Sequence, residues 1–179
     1  MPRLFTGIEI PAEVASALSI LRGGISGARW IDPENYYLTL RFMGDIEDRL
    51  AYEATALLAQ VRRPAFDLSI VGLRAFGGRR PRAIVAEPAA SPALADLAAE
   101  HERLCRRAGL APETRKFSPH VTLARLRDVR PQAVADYLAL RGGFRAGPFP
   151  VGRVALFSSR ASLGGGPYLV EDTFPLAGV

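Results

Sequence analysis

A short pattern occurs twice in this chain and limits the folds open to it more than any other feature. The first copy reads Tyr37-Leu38-Thr39-Leu40-Arg41, the second His120-Val121-Thr122-Leu123-Ala124-Arg125. Both have the composition of a strand, in which successive side chains point to opposite faces. Tyr37 and Thr39 therefore share one face and Leu38 and Leu40 the other, and His120 and Thr122 stand against Val121 and Leu123 in the same way. Each strand buries its aliphatic residues and presents a ring and a hydroxyl. Each copy also follows a proline-containing turn segment and precedes a loop and a helix. Two lobes of similar build, set face to face, would bring both ring-and-threonine pairs into one cleft.

The rest of the chain supplies strands and helices in mixed order. Residues 4–10 read as a strand. Residues 11–22 read as a helix with Val14, Leu18 and Leu21 on one face, stopped by Gly23-Gly24. Trp30-Ile31 leads into the turn Asp32-Pro33-Glu34-Asn35, and a strand follows over 36–43. Asp45 or Asp48 is placed to cap a helix carrying Leu50, Ala54, Leu57, Leu58 and Val61. Strands are predicted over 66–73 and 83–86, on either side of the Gly/Arg loop Phe76-Gly77-Gly78-Arg79-Arg80-Pro81. The clearest helix covers 91–108, with Ser91 as cap, Pro92 just inside and Gly109 after it. A strand lies within 117–126 and a helix over 131–140. Two more strands, 150–157 and 168–174, are joined by a loop over 158–166. This order predicts an α+β fold in a single domain spanning 1–179.

Composition sets outer bounds. With 49% hydrophobic and 23% charged residues, the chain has the makeup of a soluble globular protein. Its apolar runs fall short of the roughly 20 residues of a membrane span, and its first residues lack the pattern of a signal peptide. The single Cys105 excludes an intrachain disulfide and a thiolate zinc cluster. A cytoplasmic monomer is expected, without metal or cofactor. The net charge of +5 suits a polyanionic partner. Yet of 23 basic residues only Lys116 is lysine, the look of a high-GC coding sequence, so charge alone leaves the partner open.

The repeated pair has a chemical use. Cleaving a phosphodiester without a metal needs a base for the nucleophile and an acid for the leaving alkoxide. Threonine hydroxyls and guanidinium groups suit the non-bridging oxygens. One ring-x-Thr strand alone is usually an ordinary pair, but two copies in matched contexts point to a site.

These residues resemble the 2H phosphoesterases of the LigT type, which carry two His-x-Thr/Ser motifs. The likeness extends through Arg3-Leu4-Phe5, Pro11-Ala12-Glu13, Arg29-Trp30, Pro33-Glu34-Asn35 and Leu38-Thr39-Leu40-Arg41-Phe42-Met43-Gly44. It continues through Phe76-Gly77, Pro81-Arg82, Phe117-Ser118-Pro119-His120-Val121-Thr122-Leu123-Ala124-Arg125, Ser159-Arg160 and the terminal Tyr168 strand. The resemblance implies a bilobed fold with two antiparallel sheets and flanking helices around a central cleft. It implies an RNA 2′,3′-cyclic phosphodiesterase giving 2′-phosphate ends, with 2′-5′ RNA ligation in some relatives. RNA ends or small cyclic phosphodiesters would be its partners.

The chain departs from the family pattern at Tyr37, where a histidine is expected. The other histidine, His101, lies between Glu100 and Glu102 and reads as a solvated helix position. By analogy His120 is the general base and Tyr37 the acid. A phenol with a pKa of about 10 is protonated near pH 7, so it suits donation and makes a poor base. Thr39 and Thr122 would hold phosphate oxygens. Arg41 shares the face of Thr39 by alternation. Arg125 is out of phase with Thr122 in an ideal strand and reaches the cleft only if the strand bends near Ala124, although the family places it at the phosphate. Phe76 is a candidate base-stacking ring; Phe42 is another, although core packing is the fate expected for it. Arg82, with Arg79 and Arg80, forms a candidate basic rim. The alternative to an enzyme is a catalytically inactive binder of RNA ends or cyclic nucleotides on the same cleft.

Overall fold

The computed structural model describes residues 3–159 and 167–177. Nine strands and four helices run in the order β1 (Arg3–Glu9), α1 (Ala12–Ser19), β2 (Ala28–Trp30), β3 (Tyr37–Asp45), α2 (Asp48–Leu58), β4 (Phe66–Phe76), β5 (Ala83–Pro88), α3 (Pro92–Ala108), β6 (Val121–Leu126), α4 (Pro131–Arg141), β7 (Ala146–Val151), β8 (Arg153–Ser159) and β9 (Tyr168–Pro175). A short 3-10 turn covers Pro33–Asn35. None of the described helices is long and apolar enough to cross a membrane. Arg160 and most of the loop predicted over 158–166 lie outside the described residues, while Ser158 and Ser159 close β8.

The two expected sheets are present as two halves of one hydrogen-bonded path. Strands β3-β1-β8-β9 form the first half and β7-β4-β5-β6 the second, with β2 paired to β6. The halves touch through one residue pairing, Leu38 with Val121, the central aliphatic residues of the two repeated motifs. The helices cross over between halves. α3, which precedes the second motif, packs with α2 against β3 in the first half. α1, which precedes the first motif, meets β7, and the turn after it is tied to α4 by the Tyr137 hydroxyl donating to the Leu21 carbonyl at 2.8 Å.

Local chemistry explains most boundaries. In α3 the Ser91 hydroxyl accepts from the Leu94 amide at 3.1 Å, and Gly109 closes the helix at φ 112°, a conformation open to glycine at little cost. Four expectations are corrected. α1 stops at Ser19, three residues early, because its last turn continues as the tighter Leu21-to-Leu18 and Arg22-to-Ser19 bonds. α2 starts at Asp48 with Glu47 in the cap position, so neither Asp45 nor Asp48 caps it. The single strand expected over 150–157 is the end of β7 and most of β8, separated by Gly152. β4 runs three residues beyond 73, carrying Phe76 to its tip.

His101 is also corrected. It is 1% exposed, not solvated, because the helical period puts it in line with Leu94, Leu97, Ala98, Cys105 and Ala108 on the buried face of α3. Its Nδ1 is hydrogen-bonded to the Thr6 hydroxyl on β1 at 3.0 Å. Burial, and secondarily the Arg63 charge, hold its pKa down to about 4. The flanking glutamates turn away to ion pairs, Glu100 with Arg63 and Glu102 with Arg41.

Candidate active site

The antiparallel register at Leu38 and Val121 sets Tyr37 beside Thr122 and Thr39 beside His120. Both strands then break their alternation at the same place. Against β1, Thr39 pairs with Gly7 and Arg41 with Thr6, so Leu40 is an extra residue. Against β5, Thr122 pairs with Val85 and Ala124 with Ile84, so Leu123 is an extra residue. A bulge of this kind turns every later side chain to the opposite face. The burial sequence is accordingly the same over 38–42 and 121–125: buried, half-buried, buried, buried, exposed. Arg41 and Ala124 fall on the buried side, and Phe42 and Arg125 come round to the side of the threonines.

Arg125 thereby lines a small, half-open pocket with Ile31, Asn35, Tyr37, Thr122 and Tyr168. His120 sits just before β6, half-buried, with its ring edge against Phe76 at 4.8 Å and 81°. Its Nδ1 lies 2.7 Å from the Ser118 carbonyl. In the neutral ring Nδ1 donates to that carbonyl, which leaves the Nε2 lone pair able to accept a proton. Burial is the largest influence on its pKa and lowers it; Arg125, Arg74 and Arg82 push it down further, against the Ser118 carbonyl. Burial and the neighbouring guanidinium groups therefore favour the neutral imidazole.

Tyr37 stands in an aromatic cluster. Its ring centroid is 4.6 Å from Phe5, 5.5 Å from Phe157 and 4.7 Å from Tyr168, the last edge-on at 82°. Burial raises its pKa most, and a hydrogen bond with Tyr168 raises it further. Arg125 and the Thr39 hydroxyl pull weakly the other way. The phenol keeps its proton throughout the neutral range. Gly7, opposite Thr39, lets β1 and β3 approach this closely, since a Cβ there would lie 2.7 Å from the Leu38 carbonyl oxygen.

The sequence profile described as LigT like Phosphoesterase matches twice, over residues 8–86 and 84–168, once around each motif. The chain belongs to the LigT-like phosphoesterases. Among relatives of this phosphoesterase, an Aquifex aeolicus protein named RNA 2′,3′-cyclic phosphodiesterase is 30% identical over 155 residues, covering 84% of this chain and 82% of its own. One of the same name from Aeropyrum pernix is 33% identical over 132 residues, covering 72% and 75%. The fold is that of E. coli LigT, solved with 3′-AMP, at a TM-score of 0.79, 24% identity and 99% coverage of both chains.

One residue expected at the pocket of this phosphoesterase falls elsewhere. Arg41 is not at the pocket: it is 6% exposed, ion-paired with Glu102, and donates to the Ala111 carbonyl at 2.7 Å. Alternation from Thr39 fails because the Leu40 bulge intervenes. Phe42 is 38% exposed and, as the partner of Phe5, lies on the pocket side, so core packing is not its role. Phe76 touches His120 and carries the Arg74 guanidinium 5.0 Å above its ring. Arg82 is exposed, one residue before the pairing of Ala83 with Arg125, close enough to act on His120. Asn35, Ile31 and Tyr168 were not expected as pocket residues, nor Arg74 as the cation over Phe76. Asn35 and Tyr168 do occur within the stretches that carried the family resemblance. Arg74 gave no signal, since its place depends on the three extra residues of β4.

Proposed function

We propose that this protein hydrolyses RNA 2′,3′-cyclic phosphate ends to 2′-phosphates, with His120 as general base and Tyr37 as the proton donor. The observation that carries this reading is the imidazole of His120, its Nδ1 held by the Ser118 carbonyl, with Arg125, Arg74 and Arg82 around it next to the Thr122–Tyr37 pocket. Nε2 takes a proton from water as the water oxygen bonds to phosphorus. The P–O3′ bond breaks, and the departing O3′ takes the Tyr37 proton, which solvent later restores. The Thr39 and Thr122 hydroxyls and the Arg125 guanidinium hold the non-bridging oxygens, where charge grows as the ring opens. The names of the relatives that span most of the chain support this substrate class.

The substitution at Tyr37 sets the expected rate. A phenol whose pKa burial has raised is a weak acid, so loss of the imidazolium costs about 10²- to 10⁴-fold against a two-histidine site. The same feature favours a second reading, a site that binds RNA ends without turning them over. The test is to incubate a short RNA ending in a 2′,3′-cyclic phosphate with wild type and His120→Ala and to separate the products. The reading predicts slow appearance of a 2′-phosphate with wild type and none with His120→Ala. Tight binding without product from wild type selects the second reading.

A further inference from the structure

The pocket accounts for one nucleotide end, yet the cations beside it extend well past it. β4 and β5 close in a hairpin whose tip carries Arg79 and Arg80, both exposed. Gly77 makes the turn at φ 107°, where a Cβ would lie 2.2 Å from the Arg80 carbonyl oxygen. The Arg82 amide donates to the Phe76 carbonyl at 2.8 Å, and the Arg82 carbonyl accepts from the Leu126 amide at 2.9 Å. This brings Arg79, Arg80, Arg82, Arg125 and Arg127 onto one stretch of surface beside Phe76. Among the described residues none of these five has a carboxylate partner; Glu87 on β5 is paired with Arg74, and Asp128 just after β6 is exposed. On the other half of the same sheet, cations are balanced: Arg3 pairs with Asp45 and Arg153 with Glu9. Unpaired exposed arginines beside a half-exposed ring suit phosphates at nucleotide spacing with a base on the ring.

We propose that the β4–β5 hairpin and the adjoining end of β6 form a track for single-stranded RNA, holding the nucleotides upstream of the end that enters the pocket. Phe76 stacks the base next to the terminal nucleotide, and Arg79, Arg80 and Arg82 take the phosphates that follow. The substrate class is then an RNA strand of several unpaired nucleotides, which makes this an extension of the proposed function and dependent on it for the placing of the end. Three phosphate contacts imply a slope of about −2 in log affinity against log salt, at about −0.7 per contact for single strands. A fourfold rise in salt then weakens a strand about 20-fold and a mononucleotide, with about one contact, only 2- to 3-fold.

The experiment is equilibrium binding of a ten-nucleotide unstructured RNA ending in a 2′-phosphate, which the protein does not turn over, between 50 and 200 mM salt, roughly the range over which such contacts are read. A mononucleotide 2′-phosphate serves as the short probe. Arg79→Glu/Arg80→Glu is compared with Arg106→Glu/Arg107→Glu, an equal charge change in the last turn of α3, the helix whose partners Thr6 and Arg41 lie on the other face of the sheet. The track predicts that the strand binds at least tenfold tighter than the mononucleotide, that the hairpin variant loses most of this gain and flattens the slope, and that the helix variant keeps both. Equal affinity for strand and mononucleotide, or equal loss in both variants, overturns it. So does equal binding of a blunt duplex with the same end. Turnover of the mononucleotide 2′,3′-cyclic phosphate reports separately on the chemistry, so failure of the track and failure of the proposed reaction are told apart.

Discussion

Acid should weaken this fold through one side chain. His101 is buried at 1% exposure with its pKa at about 4, against 6.5 when unfolded. Between those values the unfolded chain binds a proton that the folded chain refuses, so stability present at pH 7 is lost as pH falls from 6.5 toward 4. The full difference is about 3 kcal/mol, and about 2 kcal/mol of it is gone at pH 5. The assay is urea unfolding at pH 7 and pH 5. His120 titrates in the same direction, so wild type must be compared with a variant that lacks only the buried ring. His101→Leu alone would strand the Thr6 hydroxyl at a cost of about 1–3 kcal/mol. The better comparison is Thr6→Val/His101→Leu, which removes both partners. The double variant should lose about 2 kcal/mol less than wild type between pH 7 and 5. Equal losses in the two proteins would refute the assignment of acid sensitivity to His101.

Three further outcomes are expected. Turnover should rise with pH through a single apparent pKa below 6.5, from His120, with no alkaline fall before about pH 10, because Tyr37 keeps its proton; Tyr37→His should convert this to a bell, as read from kcat/KM against pH. Arg125→Met should lower kcat/KM about 10- to 100-fold with little change in the urea midpoint, while Arg41→Met should lower the midpoint and leave KM of the folded enzyme unchanged. Gly7→Ala should destabilise by about 1–3 kcal/mol, since its Cβ meets backbone that cannot yield, and thermal unfolding measures it.

Much of the fold could be read from residue order, because caps, turns and hydrophobic periods are local. Ser91, Pro92 and Gly109 bound α3 through contacts within a few positions. The failures arise where a distant strand decides. Arg41 and Arg125 differ in fate because each bulge is defined against another strand, β1 for Leu40 and β5 for Leu123. His101 looked solvated because its neighbours in sequence are glutamates, although its neighbours along the helix face are leucine, alanine and cysteine. Tyr168 lies in the last strand, and only the pairing of β9 with β8 and of β8 with β1 carries it to Tyr37. The aromatic cluster that raises the Tyr37 pKa is assembled by those same pairings.

The central claim is that His120 and Tyr37 act as base and acid on one cyclic phosphate. The most direct measurement is single-turnover hydrolysis of an RNA 2′,3′-cyclic phosphate by wild type, Tyr37→Phe, Tyr37→His and His120→Ala, each checked for folding. The account predicts slow turnover by wild type, a loss of tenfold or more in Tyr37→Phe, a gain in Tyr37→His and none in His120→Ala. Equal rates for wild type and Tyr37→Phe, or turnover surviving in His120→Ala, would contradict it.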